Sequence, residues 1–334
     1  MKFPDKKIKQ ETERLHKKLK KVGWTKKACE EIASLTLEIN ELKKKKNAVI
    51  LAHSYQTPDI MYGVADFVGD SYGLSKTAMN TKADLIIFCS VHFMAETAKI
   101  LNPKKEVRVP SIASCSLAES ITAKDVRDLK KKHPKAGVVC YVNTTAAVKA
   151  ECDACCTSAN ALKIVNGMPQ KEIIFLPDKF MARNLRPLTK KKIIEWNGTC
   201  IVHEEFSDKS VNEIKKHFPK AKILVHLECV PNVVKKSDLV GSTTDIINYL
   251  KKSKAHQFMI VTECGITDRA KAEFKDKEIV GSCIICPYMK EIVLKDVLKC
   301  LKSPTSNQII KLSESTIKKA KKSLDKMVEI VENN

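Results

Sequence analysis

KNAVILAHSY (46–55), KAGVVCYVNT (135–144) and KAKILVHLEC (220–229) repeat one pattern: a lysine, an apolar run, and polar side chains where the run ends. A short apolar run with that boundary reads as a buried strand. Such runs alternate with helical stretches at close spacing, which is the signature of βα units and parallel sheets. The fold class is therefore α/β, and the repetition sets the number of units at three.

The parts that follow each run keep the same order. A small hydroxyl residue marks a helix start at Gly69-Asp70-Ser71, Cys156-Thr157-Ser158 and Gly241-Ser242-Thr243, where the hydroxyls can serve as N-caps, with Ser71, Ser158 and Thr243 at the helix N-termini. A second strand then carries FCSVHFMA (88–95) and FLPDKFMA (175–182), with FMIVTECGI (258–266) as a looser third copy. Each unit closes on a cysteine after a short strand, at Cys115, Cys200 and Cys286, spaced 85 and 86 residues apart. The division expected is a helical flank at 1–37, a first domain at 38–118, a second at 119–203 and a third at 204–287. The C-terminal flank 288–334, with a short strand at 308–312 and a final helix, is expected to pack on the first domain.

Composition narrows the function. The 334 residues exceed a usual domain of roughly 100 to 200, so several domains fit. No run approaches the roughly 20 apolar residues of a membrane span, and the N-terminus lacks the apolar core of a signal peptide, so a cytoplasmic protein is expected. Thirteen cysteines there are not a disulfide framework, and metal or cluster ligation leads. The net charge of +21 favours anionic partners. Its lysines crowd into helix-like stretches without interleaved aromatics or a nucleic-acid motif, so no nucleic-acid or membrane partner is expected.

Three converging thiolates match a [4Fe-4S] cluster, one per chain, with one iron left open to act as a Lewis acid. Structural zinc is the competing reading, and it normally wants four ligands. The pairs Cys152/Cys155 and Cys283/Cys286 lie too far apart for one zinc ribbon. Cys283 is open between a spare ligand, a redox partner of Cys286 and an ordinary buried thiol, the last being preferred. Cys89, Cys140, Cys229 and Cys264 read as small apolar residues in strands. At the ends of the first strands stand His53 and Tyr55, Tyr141 and Asn143, His226 and Glu228, each pair at i, i+2 and hence on one face of an extended chain. With the helix starts they form a cavity suited to a small polyanion. Glu228 is the candidate general acid and base, with His53, His226 and Tyr55 moving or steering protons.

The blocks AHSYQTPDI, ADFVGDSYGLS, HFMAETAKILNP, CYVNTTAAVKA, CCTSANA, FLPDKFMARN, VHLECVP, VGSTTDII and CPYMK occur in order from about Asn47 to Leu301. Together they resemble the motif set of the quinolinate synthase family. The resemblance implies three similar αβα domains with parallel sheets in a pseudo-threefold arrangement around a central [4Fe-4S] cluster, held by Cys115, Cys200 and Cys286. It implies condensation of iminoaspartate with dihydroxyacetone phosphate to quinolinate, for NAD biosynthesis, with a functional link to the enzyme that supplies iminoaspartate. It also implies that His53, Ser71, Tyr141, Asn143, Ser158, His226, Glu228 and Thr243 contact substrate, with Tyr55 and Glu228 in proton transfer. The segment 56–65 is the candidate cover of the site. Two other readings stay open: an iron-sulfur diphthamide-type transferase, which shares the three-cysteine plan, and a non-catalytic, zinc-containing basic binding protein.

Overall fold

In the computed structural model, which describes residues 2–333, the chain forms three four-stranded sheets. The first holds β1 (Ala48–His53), β2 (Phe67–Gly69), β3 (Leu85–Cys89) and β4 (Glu106–Arg108). The second holds β5 (Gly137–Tyr141), β6 (Ala154–Cys156), β7 (Glu172–Leu176) and β8 (Lys192–Glu195). The third holds β9 (Lys222–His226), β10 (Leu239–Gly241), β11 (Gln257–Val261) and β12 (Glu278–Ile279). All pairs are parallel, and in each sheet the first strand of the unit lies between its second and third. β1, β5 and β9 are thus central and buried, which is why they read as unbroken apolar runs.

One device fixes the register of each central strand. Asp66, Asp153 and Asp238 accept through a carboxylate oxygen from the backbone N–H of Ile50, Val138 and Ile223, each at 2.8 Å. Their own N–H groups return a bond to the carbonyls of those same residues. This two-way clamp holds the second strand in place, so His53 aligns with Gly69, Tyr141 with Cys156 and His226 with Gly241. A one-residue slip would turn every polar strand end away from its face.

A second repeated bond places the cysteines. The N–H of His92, Lys179 and Cys264, at the helix start after the third strand, donates to the carbonyl of Ala113, Gly198 and Ile284. Each acceptor stands two residues before a cysteine, Cys115, Cys200 or Cys286. Cys115 packs against the cores of the first and second units, Cys200 against the second and third, and Cys286 against the third and first. Contacts between units close a ring: Glu96 accepts from Ala146 N–H, Asn184 donates to the carbonyls of Leu227 and Cys229, and Arg269 donates to the Ser54 hydroxyl.

The flanks depart from expectation in part. Helices Asp5–Leu19 and Lys26–Lys45 pack on each other, and the second packs on helix Leu294–Lys302, whose Val297 and Leu301 join the first core. The final helix, Glu314–Glu332, lies mainly on the second unit and also touches helix His92–Leu101 of the first. Its Ala320, Leu324, Met327 and Ile330 enter that core and cover the β6 edge, an apolar strand that would otherwise be open. The strand expected at 308–312 is a 3-10 turn, Ser306–Gln308, followed by a single bridge from Ile309 to Arg108. The segment 56–65 does not cover the site. It forms helix Pro58–Gly63, tied down by Arg14, Asn40 and Lys43, which donate to the carbonyls of Tyr62, Gly63 and Val64. No helix among the described residues is long and apolar enough to cross a membrane.

Where the third unit meets the first, Gly265 leaves no room for a side chain. A Cβ there would stand 2.5 Å from the Ser54 carbonyl oxygen and 2.7 Å from Tyr55 Cα. Both neighbours are backbone and cannot step aside. Gly265→Ala is expected to cost about 1–3 kcal/mol, the usual penalty of overpacking, measured by denaturant unfolding. An unchanged midpoint would mean that the seam is loose.

Candidate active site

The parallel topology sends the C-terminal ends of β1, β5 and β9 to a common place, the position where ligands bind in open α/β sheets. One cavity of about 720 Å³, counting its open mouth, lies there. His53, Tyr55, Ser71, Tyr141, Asn143, Ser158, His226, Glu228 and Thr243 all line it, together with Cys115, Cys200 and Cys286. The structure thus brings every residue of the expected site to one wall-to-wall space.

The helix starts differ in a way that helps the site. Asp70 and Ser242, not Ser71 and Thr243, are the N-caps, accepting from Gly73 and Asp245 N–H. In the second unit the helix begins at Ala161 after Asn160, with Ser158 in the preceding turn. Because the preceding residue takes the capping bond, the hydroxyls of Ser71 and Thr243 are left for the cavity.

Glu228 is buried at the centre. It accepts from the Tyr141 hydroxyl at 2.6 Å, and Nδ1 of His203 lies 3.1 Å from its other oxygen. His203 Nε2 is 2.8 Å from the Thr262 hydroxyl, which is 2.7 Å from the Tyr55 hydroxyl. A polar chain therefore runs Tyr55–Thr262–His203–Glu228–Tyr141 and crosses all three units. His203 and Thr262 were not among the expected residues. His203 follows Cys200 by three positions, on a short 3-10 turn, and neither other cysteine loop carries a histidine there, so the repeat gave no hint of it.

Burial shapes the ionisation of the cavity. It lowers His53 and His226 to about 3, against the pull of Glu228, so both are neutral near pH 7. Nδ1 of each accepts the backbone N–H two residues on, Tyr55 at 3.1 Å and Glu228 at 3.4 Å, which leaves the proton on Nε2. Burial works against an ionised Glu228, but His203 and the Tyr141 hydroxyl beside it hold its carboxyl well below the usual range. Burial and then the Glu228 charge raise Tyr55 and Tyr141, so both keep their protons and can donate. Several polar atoms in the wall are buried without a partner: the Asn143 side-chain oxygen and the hydroxyls of Tyr72 and Thr157. Such groups are costly unless a ligand or water meets them.

The three cysteine sulfurs fit a metal group of their own. Each is followed by a short turn whose N–H groups face it: Leu117 and Ala118 for Cys115, Val202 and His203 for Cys200, Tyr288 and Met289 for Cys286. These donors favour the thiolate, the form that binds metal. Burial acts the other way, pushing Cys115 up to about 12, Cys286 up to about 11 and Cys200 well above its ordinary value. Free sulfurs are therefore protonated, and metal must displace those protons. Cys200, His203 and Glu228 also present ligand atoms within 4.8 Å of one another.

The remaining cysteines separate from the site. Cys283 is not an ordinary thiol. It forms a disulfide with Cys264, which begins helix Cys264–Glu273 rather than lying in a strand. The pairing follows from the parallel bridge of Glu263 with Ile284, which sets their neighbours side by side. Cys155 lies on β6 with its sulfur 3.6 Å from that of Cys140, and Cys152 donates to the Val148 carbonyl, so the two CxxC pairs share no site.

The family model described as "Quinolinate synthetase A protein" matches residues 37–329. The chain belongs to the quinolinate synthase family. It is 43% identical over 291 residues to "Quinolinate synthase 1" of Mesorhizobium japonicum, covering 87% of this chain and 89% of that one. It is 46% identical to "Quinolinate synthase" of Xylella fastidiosa, over 79% of this chain and 78% of that one. Identity to the Sinorhizobium fredii protein of the same name is also 46%, over 81% and 76%. The family match spans all three sheets, and the cavity lies wholly inside it.

Tyr141 tests the central network. Tyr141→Phe keeps the ring but removes the donor to a buried carboxylate, and a loss of about 1.5–3 kcal/mol in unfolding free energy is expected. A variant as stable as the parent protein would show that Glu228 is satisfied without it.

Proposed function

We propose that this chain is a quinolinate synthase that condenses iminoaspartate with dihydroxyacetone phosphate to give quinolinate, phosphate and two waters, for NAD biosynthesis. The single observation that carries the reading is the cavity in which Glu228, the two neutral histidines and three cysteines meet. Family membership supports it. The units are proposed to sit in a pseudo-threefold arrangement, which the matching strand orders and the ring of contacts favour. We place the enzyme in the cytoplasm, with iminoaspartate reaching it from the enzyme that makes it.

Cys115, Cys200 and Cys286 would hold a [4Fe-4S] cluster, one per chain. When bound, such a cluster with three protein ligands supplies an iron open to a substrate carboxylate, nitrogen or departing hydroxyl. The chain's own residues do the rest. Ser71, Ser158 and Thr243, near the helix starts, with Asn143 and Tyr141, are placed to bind carboxylate and phosphate oxygens. Nε2–H of His53 and His226 can donate to developing oxyanions without carrying a charge of their own. Glu228 is the base that removes a proton from the carbon next to the imine, giving the enamine that attacks as phosphate leaves. The Tyr55 hydroxyl, linked to Glu228 through Thr262 and His203, returns protons where oxygen is lost. Burial in a low-dielectric wall strengthens each of these contacts.

A second reading rests on the Cys200, His203 and Glu228 group, which could take a single ion such as zinc. Metal and sulfide analysis of anaerobically purified protein separates the two. Four irons with acid-labile sulfide support the cluster, and one zinc without sulfide removes it. Cys200→Ala is expected to lose both the cluster and activity, because two thiolates rarely retain a cubane. Glu228→Gln should keep normal iron content and lose turnover by a factor of about 100 or more, the usual scale for general-base removal. Quinolinate formation assayed in both variants checks these outcomes, and full activity in Glu228→Gln would sink the assignment of the base.

A further inference from the structure

A second cavity lies at the seam between the N-terminal helices and the third unit, and the reaction chemistry leaves it unused. It measures about 630 Å³ counting its wide mouth and is lined by Lys21, Lys271, Phe274, Lys275 and Lys277. Lys21 comes from the turn Lys20–Val22, which packs on helix Cys264–Glu273 and is closed by Gly23 in the left-handed region at φ 86°. The other four come from the end of that helix and the loop after it.

The lysines in this wall are not equivalent. Lys277 is committed: its Nζ donates to the carbonyls of Ser253 and Ala255 and stands 3.0 Å from Asp276, a mostly exposed carboxylate. Lys21 is the opposite case, because its Nζ is buried and has no hydrogen-bond partner. Lys271 and Lys275 have no ion pair among the described residues and face the same space. Burial, and then the charges of Lys275 and Lys20, push the Lys21 ammonium down from its ordinary value. An unpaired ammonium is among the costliest groups to bury, and like charges held together add to the cost. An oxyanion between them removes both penalties at once. The space is a shallow depression, widely open to solvent, with one aromatic wall and only five lining residues, so it fits a compact anion and not a polymer.

We propose that this cavity is a binding site for a phosphate-class oxyanion, inorganic phosphate or a phosphate monoester, held by Lys21, Lys271 and Lys275. A bound anion would tie the N-terminal turn to the third unit. This goes beyond the condensation reaction and does not depend on it.

The test uses the full chain and the acylation of individual lysines by an N-hydroxysuccinimide ester, followed by mass spectrometry. Inorganic phosphate, with glycerol 3-phosphate in a parallel arm, is compared with chloride at equal ionic strength. Labelling of exposed Lys271 and Lys275 is expected to fall about twofold when the anion reaches its dissociation constant, while exposed Lys132 is unchanged. The arm that protects at lower concentration identifies free phosphate or a monoester as the better ligand. Lys21→Met should abolish the protection of Lys271 and Lys275, and it should raise the thermal midpoint in chloride because it removes an unpaired charge. Equal labelling in phosphate and chloride, protection that survives Lys21→Met, or a lower midpoint for that variant in chloride would each overturn the proposal. Phosphate held only in the cysteine-lined cavity would leave Lys271 and Lys275 unprotected, so the two sites are distinguished.

Discussion

A backbone hydrogen bond, made three times, decides where the chemistry can happen. The helix start after the third strand of each unit donates an N–H to a carbonyl two residues before a cysteine. Because donor and acceptor are both backbone, the bond asks little of the side chains. It sets SIASC, WNGTC and GSCIIC in the same relation to their sheets although they share few residues. The following turn then presents its free N–H groups to the sulfur. Three thiols are thereby carried to the seams between units, where none of the three sheets could place them alone.

The polar centre depends on the same assembly. Tyr141 comes from the second unit, Thr262 and Glu228 from the third, and Tyr55 from the first. Buried groups of this kind are stable only when every partner is present. Docking of the units and completion of the acid–base network are consequently one event, and a loosened seam exposes a carboxylate that has lost its donors. This explains the close contact at Gly265, where the third unit meets the backbone of Ser54 and Tyr55.

Much of this was legible in the chain because repetition multiplies a weak signal. A single apolar run with a histidine at its end says little. Three runs, each ending in polar residues two apart and each followed 65 to 69 residues after its leading lysine by a cysteine, defined the sheets, the strand ends and the cavity lining. The registering aspartates Asp66, Asp153 and Asp238 repeat just as faithfully, three residues before Gly69, Cys156 and Gly241. They could have been found in the same way. His203 could not, because it has no histidine counterpart in the other units, and Thr262, matched only by Ser90 in the first unit, matters through its contact with Tyr55 and His203.

The amino-acid order by itself determined the α/β class, the three units, the polar strand ends and the three cysteines, because periodicity and spacing are local properties that survive without coordinates. Tertiary structure decided the rest. The final helix lies on the second unit because β6 offered an apolar edge there. Cys283 pairs with Cys264 because a parallel bridge sets their loops side by side. His53 and His226 are neutral and Glu228 is charged because burial and neighbours set ionisation. Each of these depends on which distant segments meet, and that is settled only when the chain closes on itself.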